Sequence, residues 1–285
     1  MKLIDLPPEE LFNAGHTACP GCAAAILALL TAKIFGRETA IYIPASCLVV
    51  LGSTYPFSAW KVPIMFVAFE NSGAVISGIK AGYRALGKEQ INVVAMAGDG
   101  GTADIGLQAL SGAAERNEDV VYICYDNEAY MNTGTQRSGA TPYGAATTTT
   151  TLGKLEMKKD VPSIVAAHHV PYVATASVGY VQDLINKLEK MKNIKGFRYL
   201  HVFSPCPPGW KFSSNLMVEV AKRAVDSGMW MLYEIEHGVK RITKEVKNRI
   251  PVKDYLTLQG RFKHLHDEQI AAIQQGIDAN WGKSL

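Results

Sequence analysis

The chain has 285 residues, 48% hydrophobic and 19% charged, with 25 Gly and 13 Pro, a composition that suits a globular α/β chain with a sizeable core. Twenty-nine Lys and Arg against 26 Asp and Glu leave a formal charge of +3, too small and too dispersed for a nucleic-acid surface or a polybasic membrane anchor. Pro and acidic residues interrupt the amino terminus where a signal peptide needs an apolar core. The longest apolar stretch, Ala23 to Leu30, is too short to span a bilayer, so a cytoplasmic role on small molecules is expected.

In chain order, Cys19-Pro20-Gly21-Cys22 comes first and leads into a helical pattern from Cys22 to Phe35. A strand over Ile41-Tyr42-Ile43 precedes Cys47, and a second strand, Ile64 to Phe69, precedes a helix over Gly73 to Leu86. The β-branched run Ile91 to Ala97 ends in Gly98-Asp99-Gly100-Gly101 before a helix from Ala103 to Arg116. The next strand, Val120 to Tyr125, ends in Asp126-Asn127, 26 residues after Gly100. Helices over Pro162 to His168, Gln182 to Met191 and Ser214 to Asp226 then alternate with strands over Tyr172 to Thr175, Phe197 to Phe203 and Met229 to Ile235.

Such alternation is the signature of an α/β fold, a mostly parallel sheet with helices on both faces. Residues 1–285 read as one domain with amino-terminal Cys-bearing loops and a more charged arm from about residue 240, suited to a subunit interface. In open parallel sheets ligands sit at the carboxyl ends of strands, which is where Asp99, Asp126 and Asn127 fall.

That placement suits a diphosphate held through Mg2+, which prefers near-octahedral oxygen ligands. Asp99 offers a carboxylate, Asn127 a side-chain oxygen and Ala129 a backbone carbonyl from the same loop. Gly98, Gly100 and Gly101 let backbone approach phosphate, and the following helix would turn its free N–H groups toward the anion. A lone Gly-Asp-Gly is most often only a strand-to-helix turn. The second segment, Asp126-Asn127, together with Asn132-Thr133-Gly134 beyond it, favours a thiamine diphosphate site.

Five Cys in a reducing compartment do not suggest a disulfide framework. Cys124 lies inside an apolar strand and reads as core. Cys19, Cys22, Cys47 and Cys206 fit zinc, an iron-sulfur cluster or no metal, and one close pair with two isolated Cys, 25 and 159 residues further on, favours a cluster closed by the whole domain.

Three stretches resemble the beta subunit of pyruvate:ferredoxin oxidoreductase and its 2-oxoacid relatives: Gly15 through Cys22, Gly98 through Gly106, and Tyr122 through Gly134. The resemblance continues through Ala140-Thr141-Pro142-Tyr143-Gly144, Ser204-Pro205-Cys206-Pro207 and Tyr255 through Phe262, and covers nearly the whole chain. It implies the thiamine diphosphate-binding fold. It also implies a [4Fe-4S] cluster on Cys19, Cys22, Cys47 and Cys206, and Mg2+ on Asp99, Asn127 and the Ala129 carbonyl. Asn132 is implied close to the reacting end of the cofactor, with Thr133 in the same binding loop.

The activity implied is oxidative decarboxylation of a 2-oxoacid, first of all pyruvate, with electrons passing singly to ferredoxin and the acyl group to coenzyme A. Oxalate, without coenzyme A, or an aryl or branched-chain 2-oxoacid would use the same machinery. One departure bears on this choice: Cys47-Leu48-Val49-Val50 replaces the more acidic sequence expected after the third cluster ligand. No pyrimidine-binding domain and no ferredoxin-like Cys run are visible, so alpha, gamma and ferredoxin-like delta-type subunits, separate or fused, are the expected partners.

Two rival classes remain at this stage, a thiamine enzyme with zinc or no metal and a non-catalytic iron-sulfur electron-transfer module. Other features have plainer readings. The Thr147 to Thr151 run reads as loop or strand, and His168-His169, which point to different sides of a helix, as structural or surface residues. His16 reads either as a packed loop histidine or as a donor near the cluster, and Trp60, Trp210 and Trp230 as core or contact residues.

Overall fold

A computed structural model describes residues 1–54 and 56–280. In chain order the elements are α1 (Ala23–Phe35), β1 (Thr39–Pro44), α2 (Cys47–Gly52), β2 (Ser53–Thr54), β3 (Phe57–Ser58), β4 (Ile64–Val67), α3 (Ser72–Ala85), β5 (Asn92–Gly98), α4 (Leu107–Glu115) and β6 (Val121–Asp126). They continue with α5 (Val161–Ala166), β7 (Tyr172–Ser177), α6 (Val181–Asn193), β8 (Arg198–Phe203), α7 (Pro207–Trp210), α8 (Met217–Asp226), β9 (Tyr233–Glu236), β10 (Val239–Ile242), α9 (Val252–Leu256) and α10 (Asp267–Asn280).

The main sheet runs β10-β9-β7-β8-β6-β5-β1-β4, parallel from β4 through β7, with β9 and β10 antiparallel at one edge. This is the α/β architecture expected from the alternation of elements. From β1 the chain crosses to β4 on one side and returns to β5 on the other. The connections therefore diverge at the carboxyl ends of β1 and β5 and leave a crevice there.

Period-two burial divides each central strand between two apolar layers. Ile41, Ile43, Val94, Met96, Ile123 and Tyr125 face α1 and α6, while Ala40, Tyr42, Val93, Ala95, Tyr122 and Cys124 face α3, α4 and α5. Cys124 is a core residue, as its surroundings in sequence suggest. Helix α1 is apolar nearly all round because it is wedged between the sheet and α6, and burying Leu27 and Leu30 contributes roughly 1.5–3 kcal/mol each.

The stretch from about residue 240 contributes β10, α9 and α10. Val252, Tyr255, Leu256, Phe262 and Ile273 pack with Trp210, Trp230 and α8 in a third apolar cluster. The last five residues of the expected arm lie outside the described residues. Trp60, Trp210 and Trp230 are all buried, as expected.

Three expectations shift. The helix read from Ala103 to Arg116 is a π-helical turn, Gly100–Asp104, followed by a bend and then α4. Gly106 sits so closely under the Gly101 carbonyl that a Cβ would collide with it, and this compact turn interrupts the α-helical course. The strand read from Met229 begins only at Tyr233, because the Thr175 hydroxyl donates to the Met231 carbonyl (2.6 Å) and accepts from the Tyr233 N–H (3.0 Å) where ladder bonds would lie. The helix read from Ser214 opens as a 3-10 turn, Ser214–Leu216, before α8.

At the amino-terminal end of the sheet, half-buried Asp119 accepts from buried Arg198 (2.5 Å) and pairs with buried Lys80 (3.2 Å). Burial opposes its charge, but Arg198 and Lys80 hold its carboxyl below the usual range. Its contribution to stability is therefore fully present above the unfolded carboxylate value, about pH 4, and is lost as pH falls through the lower folded value. Asp119→Asn leaves two buried cations short of a partner and is expected to cost about 3 kcal/mol, with a flatter acid limb in thermal unfolding followed from pH 7 to pH 3.

Candidate functional site

The parallel register sets Gly98 beside Tyr125, so Asp99 and Asp126 leave adjacent strand ends side by side. A cavity of about 260 Å³ opens in the crevice. It is lined by Ala45, Ser46 and Cys47 after β1, Phe69 after β4, Gly98, Gly100 and Gly101 after β5, and Asn127 through Thr133 after β6, Glu128 excepted.

Between Gly98 and Gly100 of this wall, Asp99 is fully buried and does not itself line the cavity. Ser138 donates to its Oδ2 (2.5 Å) and the Asn127 N–H to its Oδ1 (3.3 Å). Burial, reinforced by the carboxylates of Asp126 and Glu128, holds Asp99 well above the usual carboxylate range against the pull of Ser138 and Lys158. One polar atom of the Asn127 carboxamide lies 2.9 Å from Asp99 Oδ1 and 3.1 Å from the Ala129 carbonyl oxygen. With the amide nitrogen in that position it donates to both. With the amide oxygen there, it stands 2.9 and 3.1 Å from the oxygens of Asp99 and Ala129, close to the separation of adjacent ligands around an octahedral Mg2+. The donor set and its spacing therefore fit that ion.

The loop carrying these groups is held in an unusual shape. Glu128 has φ +62°, a left-handed conformation rare for a residue with a long side chain, and is 2% exposed. Its N–H donates to Asp126 Oδ1 (2.9 Å) and its carbonyl accepts from Thr141 Oγ1 (2.6 Å). Trp210 Nε1 donates to the preceding Asn127 carbonyl (2.8 Å). Beneath the loop, Lys158 pairs with Asp126 (2.6 Å) and Glu128 (2.7 Å), His201 Nε2 lies 2.7 Å from Asp126, and Arg261 pairs with Glu128 (2.6 Å). Burial opposes both charges, yet Lys158 pulls Asp126 down to about 2, and Asp126 with Glu128 holds Lys158 above the ordinary amine range.

Gly98, Gly100 and Gly101 admit neighbours that a side chain would displace. A Cβ at Gly100 would strike the Tyr130 ring, one at Gly101 would press on Phe69, and one at Gly98 would press on the Tyr125 hydroxyl. Tyr130 Oη donates to Asp104 (2.9 Å), which also accepts from the Gly139 N–H (2.9 Å) and pairs with Lys159 (3.1 Å). Asn132 and Thr133 are exposed at the cavity mouth. The Thr run buttresses this loop, since Thr148 Oγ1 donates to the carbonyls of Gly134 (2.8 Å) and Thr135 (3.1 Å).

A second cavity, about 310 Å³, is lined by all four predicted cysteines, Cys19, Cys22, Cys47 and Cys206. It shares Cys47, Asn127, Met131 and Asn132 with the first. Cys19 and Cys22 flank a Pro-Gly turn in which the Cys22 N–H donates to the Cys19 carbonyl (3.0 Å) and Gly21 has φ +72°. A Cβ at Gly21 would meet the Ser214 carbonyl at 2.6 Å, so only Gly fits. Cys22 and Cys206 precede the first turns of α1 and α7, and Cys47 opens α2.

Burial, with help from the neighbouring thiols, pushes Cys47 up to about 12. Cys206 also rises to about 12 and Cys22 rises, in both cases chiefly through burial. Cationic iron would offset that cost by stabilising the thiolates. Among the described residues no three His, Cys, Asp or Glu side chains converge on a point fit for one metal ion, and the four thiols are arranged around a cavity. Four thiolates are the donor set that a [4Fe-4S] cluster takes, and zinc takes the same set. His16, read two ways from the sequence, stacks on Phe12 (5.3 Å) and accepts from the Ala18 N–H (3.3 Å), as a packed loop histidine does. His168 Nε2 hydrogen-bonds Ser111 Oγ (3.0 Å) far from both cavities.

Sequence reasoning thus names residues in both cavities but misses Ser138, Thr141, Lys158, Trp210 and Arg261. Ser138, Thr141 and Arg261 lie in or beside the quoted stretches. Lys158, in an irregular loop, carried no signal.

The family described as "Thiamine pyrophosphate enzyme, C-terminal TPP binding domain" matches residues 46–202. The chain is 50% identical to the pyruvate synthase subunit PorB of Methanothermobacter marburgensis, over 97% of this chain and 98% of that one. It is 47% identical to the ketoisovalerate oxidoreductase subunit VorB of Pyrococcus horikoshii, over 98% and 94% respectively. In fold it is similar to the 2-oxoglutarate:ferredoxin oxidoreductase of Magnetococcus marinus solved with 2-oxoglutarate, coenzyme A and succinyl-CoA, with a TM-score of 0.60, 22% identity, and coverage of 72% of this chain and 71% of that one. No helix among the described residues is long and apolar enough to cross a membrane. A thiamine diphosphate-binding domain with this fold, aligned end to end with relatives from two substrate classes, belongs to the beta subunits of the 2-oxoacid:ferredoxin oxidoreductases.

Proposed function

We propose that this subunit holds thiamine diphosphate and Mg2+ in the first cavity and a [4Fe-4S] cluster in the second. Within a cytoplasmic complex it would oxidise pyruvate to acetyl-CoA and CO2, with ferredoxin as acceptor. The observation that carries the reading is the common wall: Cys47, Asn127, Met131 and Asn132 line both cavities, so an electron donor in one lies directly against an acceptor in the other.

In this reading Asp99, the Asn127 carboxamide and the Ala129 carbonyl hold the cation, with diphosphate oxygens and water completing its shell. Gly98, Gly100 and Gly101 let Tyr125, Tyr130 and Phe69 pack against the turn at the diphosphate end of the crevice. Bound thiamine supplies the carbanion chemistry that makes loss of CO2 from a 2-oxoacid feasible. This chain's residues orient and shield. Asn132, at the mouth, presents an amide to the substrate carboxylate or carbonyl, Thr133 beside it steadies the loop by donating its hydroxyl to Gln136 (2.5 Å), and Phe69, Tyr130 and Met131 exclude water. Cys19, Cys22, Cys47 and Cys206 hold the cluster.

The remaining half of the cofactor site and the onward electron path fall to alpha, gamma and ferredoxin-like delta-type subunits. Pyruvate is favoured by the 50% identity to a pyruvate synthase subunit. The 47% identity to a ketoisovalerate oxidoreductase subunit keeps a branched-chain 2-oxoacid as the second reading.

The decisive assay is anaerobic viologen reduction by the purified complex with pyruvate, 3-methyl-2-oxobutanoate, oxalate and an aryl 2-oxoacid, each with and without coenzyme A. Coenzyme A-dependent reduction is expected with pyruvate above all, and a preference for the branched acid would reassign the substrate alone. Asp99→Ala should weaken thiamine diphosphate binding by about 100-fold or more, the upper end of what losing even an outer-sphere partner costs, while iron content stays unchanged. Cys206→Ala should do the converse, lowering iron and acid-labile sulfide per complex while thiamine diphosphate still binds. Joint loss of both cofactors in either variant would contradict two separable sites.

A further inference from the structure

Arg261 touches neither cavity, yet it grips the cation-binding loop in two ways. Its guanidinium pairs with the Glu128 carboxylate at 2.6 Å, both side chains being 3% exposed. Its Cζ also stacks 3.6 Å over the ring of Trp210, the residue whose Nε1 donates to the Asn127 carbonyl. These contacts hold the peptides on either side of Asn127 and Glu128, the pair whose geometry turns the Asn127 carboxamide and the Ala129 carbonyl toward Asp99.

The arginine is itself fixed. Its Nε donates to Gln259 Oε1 (2.9 Å), a terminal nitrogen donates to Tyr255 Oη (3.3 Å), and its carbonyl accepts from the Ala146 N–H (2.9 Å). Gly260 lets this segment lie against Lys211, where a Cβ would come within 2.7 Å of the Lys211 Cβ. The left-handed conformation of Glu128 is intrinsically disfavoured for a residue with a Cβ, so it persists only where surrounding contacts over-determine it.

We propose that Arg261 is a positioning residue for the metal site: through Glu128 and Trp210, the carboxy-terminal segment sets the spacing of the Asp99, Asn127 and Ala129 oxygens and thereby the affinity for Mg2+. The proposal rests on the cofactor reading given above. It makes the segment from Gln259 to Phe262 part of the site's support. Lysine cannot replace arginine here, because an ammonium supplies the charge without the planar face that lies on Trp210.

The test uses the intact complex freed of thiamine diphosphate and Mg2+, and measures the Mg2+ concentration that half-saturates thiamine diphosphate binding by calorimetry, with iron content and Tm recorded alongside. Arg261→Met is expected to raise that concentration at least about ten-fold, within the range seen when outer-sphere partners of a metal ligand are lost. Arg261→Lys should fall between Arg261→Met and the unmodified complex. Because Arg261→Met leaves the Glu128 carboxylate short of a partner and can fail to fold, the double variant Glu128→Gln, Arg261→Met removes both charges and should show the same ten-fold rise. An unchanged Mg2+ requirement in either folded variant, with iron content intact, overturns the positioning role while leaving the cofactor reading in place. An unmodified complex that binds no thiamine diphosphate overturns the cofactor reading and the positioning role with it.

Discussion

Everything at the carboxyl edge of the sheet depends on a chain of buried charges, Lys158 on Asp126 and on Glu128 and Arg261 on the far side of Glu128, with His201 Nε2 hydrogen-bonded beside Asp126. Each charge would be costly alone in an apolar interior, and each is tolerated because its neighbours complete it. The result is a loop that cannot relax to an ordinary turn. Its left-handed residue is clamped from below while Thr141, Trp210 and the Asp126 side chain occupy the backbone groups on either side.

The two ends of the sheet are built for different ends. At the amino-terminal end Asp119 neutralises Lys80 and Arg198, a closed arrangement that serves stability. At the carboxyl end Asp99 has hydroxyl and amide donors close by, and burial, with Asp126 and Glu128, raises its carboxyl well above the usual range. Ionising a carboxyl there is costly, and a bound cation would offset that cost. The buried thiols of the second cavity follow the same logic.

Much of this was legible in the sequence for identifiable reasons. Short β-branched apolar runs such as Val120 to Tyr125 and the longer apolar stretch after Cys22 mark the strands and helices, because buried strands and buried helices differ in length and in their β-branched content. Asp99, Asp126 and Asn127 sit directly after strands, so a parallel sheet brings them to one edge without further information. The π-turn at Gly100–Asp104 was not legible, since it follows from Gly106 packing on the Gly101 carbonyl and not from local propensity. Lys158 and Arg261 were equally hidden as partners of Glu128. Their role comes from long-range folding, and a lysine in an irregular loop looks the same in sequence whether it is solvated or buried.

The shared wall between the cavities carries a consequence for how such an enzyme can diverge. Met131 faces both spaces, and its sulfur lies where any side chain at Gly209 would have to go, three residues after Cys206. A change of bulk at Met131 that reshapes the first cavity therefore also presses on the turn carrying Cys206. With the proposed cluster in the second cavity, substrate selectivity and redox tuning would be coupled traits, because a bulkier residue at 131 and any side chain at 209 compete for one volume.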